Sequence, residues 1–270
     1  VAYNSLLHER RRALHRAVGY ALEELYPDRL PEHYEELAHH FSRGEDWAKA
    51  FDYLVHSRAR APDAYANPVA LDLYAQAIEA ARRVPAIPRV RLAEVHQRRC
   101  QVLTATQRLD EAHAEAKQML ALAREISDRR LEGEALADIA YAHWMSFSSD
   151  QIAPLKPHIE QASAIAREIG DNRLLARSLF IAATVDQMEA RLADAEAKAN
   201  EAIQIADREG SPGIVVQTRI LIDLQHNWRG DFASAIARSR ETEAAARAVH
   251  DGFNEVIAMS NRAFAHIGQG

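Results

Sequence analysis

The chain has 270 residues, 48% hydrophobic and 27% charged, a balance that excludes a disordered segment and fits one long folded domain or two ordinary ones. A formal charge of −6 and an aromatic content of 7% exclude a general nucleic-acid binder, which needs a basic surplus or many stacking rings. One cysteine, Cys100, excludes an internal disulfide and fits a reducing cytoplasm, and no apolar run approaches the roughly 18–20 residues that span a bilayer.

Alanine, leucine, glutamate and arginine dominate, while glycine (10) and proline (9) are scarce, so the expected fold class is all-α. In chain order, the spacing predicts a short helix at 2–6 and a long one at 9–25. Helices at 31–42, 46–65, 68–83, 89–106 and 109–126 follow, with a seam marked by Pro85 and Pro88. Further helices are expected at 130–146, 153–169, 173–189, 192–208, 213–228, 231–249 and 253–267. Turn signals such as Gly170-Asp171-Asn172 and Arg229-Gly230-Asp231 separate them, and Ser146 to Pro154 reads as a longer loop.

The helices repeat. "LALAREISD" ending at Asp128 returns as "SAIAREIGD" ending at Asp171, 43 residues on, and "IQIADREGS" and "EAAARAVHD" follow at 40-residue steps. Arg124, Arg167, Asp207 and Arg247 fall in register. The unit inside each period is a helix pair, and since neither helix buries its apolar stripe alone, neighbouring pairs must stack. The segment from Pro31 to Ala64 resembles a tetratricopeptide repeat. Tyr34, Leu37, Phe41 and Leu54 fill its large positions, Ala38, Ala50 and Ser57 its small ones, and Pro62 its proline. That resemblance implies an α-solenoid, a right-handed superhelix of helix pairs over residues 30–270. Later units are longer, and Asp223 stands where a small residue is expected. "HIGQG" at the last turn aligns with "HNWRG" 40 residues earlier, so the array is expected to be truncated at its C-terminal end.

Residues 1–25, "VAYNSLLHERRRALHRAVGYALEEL", do not repeat. Together with "HYEELAHHFSRGEDWAKAFDYL" from His33, they resemble the junction between the ATPase module and the tetratricopeptide array of large bacterial signalling proteins. Those proteins carry an adenylate/guanylate cyclase domain or a transcription-factor domain beside a signal-transduction ATPase. The resemblance implies that residues 1–29 are the last helices of a preceding ATPase or winged-helix module or a linker, and that the chain, beginning at Val1, is a piece of a longer protein. It transfers no activity, because no G-x-x-x-x-G-K-[ST] phosphate loop is present.

In such a superhelix the first helix of each pair lines the concave face. The small-residue register puts Tyr141, Trp144, Phe180, Gln187, Gln217, Asn227, Trp228 and Phe264 there, aromatic anchors mixed with amides that suit a protein or peptide segment. Arg10, Arg11, Arg12 and Arg16 form a basic patch, either a solvated helix face or a docking surface for the attached module. His33, Glu36 and His40 share one helix face, but no H-E-x-x-H pattern accompanies them and no metal or cofactor is expected. Cys100 fills a small buried position. The expected function is a non-catalytic, cytoplasmic interaction scaffold that couples partner binding to an attached ATPase and effector. The alternative is a small-molecule-sensing repeat domain of a transcriptional regulator.

Overall fold

A computed structural model describes residues 8–57, 67–146 and 154–270. The described residues are helical, without strands, and the helices stack as antiparallel pairs. In chain order they are α1 (His8–Leu25), α2 (Tyr34–Arg43), α3 (Trp47–Ser57), α4 (Asn67–Arg83), α5 (Arg89–Ala105), α6 (Leu109–Glu125) and α7 (Arg129–Met145). There follow α8 (Leu155–Ile169), α9 (Asn172–Met188), α10 (Leu192–Arg208), α11 (Pro212–Trp228), α12 (Phe232–Ala248) and α13 (Gly252–Gln269). The helix expected at 2–6, the end of the one expected at 46–65, Pro62, and most of the Ser146 to Pro154 loop lie outside the described residues. The helix expected from residue 31 begins at Tyr34, after a 3-10 turn at Pro27–Glu32. Pro31 has no amide to donate and cannot continue an α-helical ladder, so the first α-type bond here runs from the Leu37 amide to the His33 carbonyl.

One kind of turn is used repeatedly. A residue in the left-handed region ends one helix, and the next residue opens the following turn: Ser127 then Asp128, Gly170 then Asp171, Gly230 then Asp231, His250 then Asp251. The amides of Asp171, Asp231 and Asp251 reach back to the carbonyls of Ala166, His226 and Ala246, which closes the preceding helix. The four aspartate side chains accept from the amides of Leu131, Leu174, Ser234 and Asn254, which opens the next one.

The chain forms two compact units, Val1–Ser127 and Asp128–Gly270. In the first, α1 packs on α2 through Gly19, where a Cβ would stand 2.8 Å from the Phe41 ring. Polar links fix the same contact: Arg12 to Glu45 at 2.6 Å, Arg16 Nε to the Gly44 carbonyl at 2.5 Å, and Tyr20 to Asp46 at 2.7 Å. Glu23 accepts from both Lys49 and Tyr53. His15 and His40 meet Nδ1 to Nδ1 at 3.0 Å with His39 beside them, so one imidazole must be neutral to accept.

Burial lowers the pKa of both His15 and His40. Repulsion from His40, His39 and Arg43 adds to this for His15, and from His39 for His40, where Glu36 opposes it. The folded state therefore binds fewer protons here than the unfolded chain, whose histidines titrate near about 6.5. The stabilisation is present above that pH and is lost as pH falls. The urea midpoint of the first unit is expected to drop between pH 7.5 and 5.5, and to drop less in a His40→Asn variant. Equal pH dependence in the two proteins would contradict this origin.

In the second unit, α7, α9, α11 and α13 are the first helices of their pairs, and each touches the next. Between them lie α8, α10 and α12, which cross at small residues. Ala199 packs with Ala183 and Ala206 with Ala176, while Ile203 lies against both contacts. At Gly133 a Cβ would stand 2.5 Å from Leu174 Cδ2, so α7 and α9 approach too closely for a side chain. Large residues of α13 remain exposed, among them Phe253, Val256 and Ile267. At low protein concentration, α13 amides are expected to exchange faster than those of α9 and α10, because neighbour contacts dominate the stability of stacked repeats. Equal protection would overturn this.

Candidate partner-binding face

The first helices of the second unit carry all eight residues of the expected binding face, but treat them unequally. Tyr141 and Trp144, one turn apart on α7, meet edge to face with ring centroids 5.5 Å apart. Trp144 meets Phe180 of α9 at 5.8 Å, also edge to face. The ring of Phe180 is buried, whereas Tyr141 and Trp144 are half-buried and keep an outward side. Gln187, at the α9 position equivalent to Trp144, is buried, and neither amide atom has a hydrogen-bond partner among the described residues. A buried amide without partners is costly, and burial closes these atoms to a bound segment as the structure stands.

Charged side chains flank the aromatic cluster. The Arg177 guanidinium lies over the Tyr141 ring, 5.8 Å from its centroid. It donates to Asp138 at 2.5 Å and reaches Glu134 at 3.4 Å. Burial raises the pKa of Glu134 against the pull of Arg177, and burial also raises that of the Tyr141 hydroxyl. Sequence reasoning missed this triad, yet the signal was present. Glu134 and Asp138 are i, i+4 on one helix, and Arg177 stands one 43-residue period after Glu134, hence beside it on the next first helix.

The other expected residues are spread out. Asn227 is buried and donates to the Asn261 carbonyl at 3.0 Å, tying α11 to α13. Gln217 is half-buried, while Trp228 and Phe264 are exposed. Asp223, the departure from the small-residue pattern, is fully buried and accepts from Thr242 Oγ1 at 2.8 Å, with Arg238 Nε 3.5 Å away. Both partners come from α12, where Thr242 stands at the position of Ala202 in α10 and Arg238 at that of Lys198. Burial raises the pKa of Asp223, opposed by the Thr242 hydrogen bond and Arg238.

Of the basic patch, Arg12 and Arg16 are engaged with the turn after α2, and Arg10 is exposed. His33 pairs with Glu36 at 3.3 Å while His40 turns to His15, so the three do not converge. Among the described residues, no group of three or more His, Cys, Asp or Glu side chains is placed to hold a metal, and no helix is long and apolar enough to cross a membrane. Cys100 is buried.

The fold is that of a tetratricopeptide-like repeat protein. No protein-family model matches the sequence, and no curated protein matches it. Solved structures match the fold at low identity. A signal transduction ATPase with numerous domains and a tetratricopeptide repeat sensor, from Pyrococcus horikoshii, aligns over 94% of this chain and 40% of its own, with 14% identity and a TM-score of 0.57. A Rap protein complexed with competence and sporulation factor aligns over 97% of this chain and 77% of its own, at 11% identity and a TM-score of 0.55. Aspartyl phosphate phosphatase F from Bacillus subtilis aligns over 92% and 74%, at 13% identity and a TM-score of 0.51.

Proposed function

We propose that this chain is a non-catalytic interaction scaffold whose first-helix face in the second unit binds a peptide segment of a partner protein. The observation that carries the reading is the Tyr141–Trp144–Phe180 cluster, in which Tyr141 and Trp144 are only half-buried. Partly exposed aromatic rings provide anchors for a partner segment. A Rap protein of similar fold has been solved with a bound factor, which favours binding in such an array.

The test is selection of linear peptides from a displayed library on the full chain, followed by hydrogen exchange with and without the tightest binder. Protection is expected at 134–144 and 177–187. Protection confined to other segments would overturn the assignment, and stoichiometric binding of a metabolite there instead would make the face a sensor.

The coupling of this face to an attached ATPase and effector is part of the same proposal. It is supported by the N-terminal resemblance and by the fold of the Pyrococcus protein, whose tetratricopeptide repeats serve as a sensor. In that reading residues 1–29 close the preceding module, and Arg10 and Arg11 face it. The coding sequence on either side of this segment tests it.

A further inference from the structure

The charges around the aromatic cluster are out of balance. Glu134 and Asp138 of α7 share one guanidinium, that of Arg177. Asp138 is 4% exposed, and its second oxygen, Oδ2, has no hydrogen-bond partner among the described residues. Asp171, the cap of α9, adds negative charge at Glu134, and Arg130 a further positive one. At Tyr141, burial raises the pKa of the hydroxyl, Arg177 opposes it, and the carboxylate of Asp251 at the start of α13 adds to the rise. Among the described residues, four carboxylates and two guanidinium groups thus act on the stretch from Glu134 to Tyr141.

An exposed acidic patch would be neutralised by water and salt. Glu134 is different, because burial raises its pKa even with Arg177 3.4 Å away, so its charge is under-compensated. Its side chain is still 21% exposed, which leaves it within reach of a bound group. Tyr141 and Trp144 follow two and almost three turns further along α7, and both keep an outward side. The faces of such rings also attract cations. The protein shows this arrangement once within itself: the Arg177 guanidinium lies over the Tyr141 ring while it donates to Asp138.

We propose, on the reading that this face binds a peptide, that the bound segment is basic. It presents a lysine or arginine side chain to Glu134, in the field of Asp138 and Asp251, and sets a neighbouring apolar side chain against Trp144. The cationic head replaces water at Glu134, and its methylene stem covers the outward side of Tyr141. Arg177 stays on Asp138, so Glu134 is the group that gains a partner. An acidic segment is rejected here, since it would place like charges together.

The tightest linear peptide selected on the full chain tests this by isothermal titration. It is expected to contain a lysine or arginine, and replacing that residue by norleucine or glutamine should weaken binding roughly tenfold or more. Glu134→Gln should cost the unchanged peptide a similar factor, with little further loss when the two changes are combined. Asp251→Asn, which keeps an oxygen for the Asn254 amide, should weaken binding about threefold through lost charge. Hydrogen exchange separates the two possible failures. A peptide that protects 134–144 and 177–187 yet has no basic residue, or binds Glu134→Gln as tightly as the parent, overturns the basic segment and leaves the peptide-binding face standing. If no selected peptide protects those stretches, the face is wrong and the basic segment with it. Thermal melts check that both variants stay folded. Should Glu134→Gln unfold, Asp251→Asn and the peptide's own substitution decide, and unchanged affinity in both overturns the proposal.

Discussion

Phe41→Ala is expected to destabilise the first unit by about 3–5 kcal/mol, the usual cost of emptying a buried phenylalanine site. The ring has no exposed surface, stacks on Tyr53 at 5.6 Å with an interplanar angle of 8°, and takes the edge of Tyr20 at 5.3 Å. Lys49 Nζ lies 5.2 Å from its centroid and Gly19 closes its far side. These neighbours come from α1 and α3 on either side of α2, so the site collapses poorly and the cavity persists. Gly19→Ala is expected to cost about 1–3 kcal/mol for the opposite reason, since its methyl would overlap the ring. In the double variant that added methyl occupies part of the vacated space, so its loss should be smaller than the sum of the two. Denaturant unfolding of all three proteins checks the series, and simple additivity would mean that the two sites do not touch.

Trp144→Ala is expected to weaken binding of a peptide selected on this chain by about 2 kcal/mol or more, roughly 30-fold, with the fold intact. Half-buried Trp144 has Tyr141 and Phe180 at its edges and an open side, the setting of an interfacial anchor. Phe180, buried beneath it, should behave oppositely, with Phe180→Ala costing about 3–5 kcal/mol of stability. Trp228→Ala, at a site 55% exposed, should leave stability within about 0.5 kcal/mol and so reports whether the face extends along α11. Titration calorimetry and thermal melts on the three variants separate these outcomes. A Trp144→Ala protein that melts far below the parent yet binds normally would make the tryptophan structural.

The helix pairs were legible in the sequence because their turns are written in residue types with one conformational use. Gly170 and Gly230 sit in the left-handed region, and Asp171 and Asp231 follow as caps. The α2 start was less legible, since Pro31 lies within a 3-10 turn rather than at the first position of an α-helix. The binding face was legible only in part. A first helix of the second unit touches its own second helix, the preceding second helix and the neighbouring first helices, which leaves a narrow outward strip. A register accurate to one residue is about 100° of rotation, enough to move a side chain from that strip into a contact. This is why Tyr141 and Trp144 keep an outward side while Asn227 is spent on the Asn261 carbonyl. Asp223 could not be anticipated from its own helix, because its compensation by Thr242 and Arg238 is supplied from α12.

The recurring turn also bears on how such an array changes length over generations. Each pair from α9 onward enters and leaves through the same backbone step, and α9, α10, α11 and α12 are all 17 residues long. A duplication or loss of one 40-residue period therefore brings identical joints together, and every downstream helix keeps its rotational phase. A one-residue insertion inside a helix has no such escape, for it turns everything beyond it by about 100°. The longer 43-residue spacing departs from this rule only in part: α7 and α9 are both 17 residues, α8 is shortened to 15, and the additional length falls between α7 and α8. Growth by whole periods, with irregularity confined to the joints, is the mutational path that this architecture leaves open.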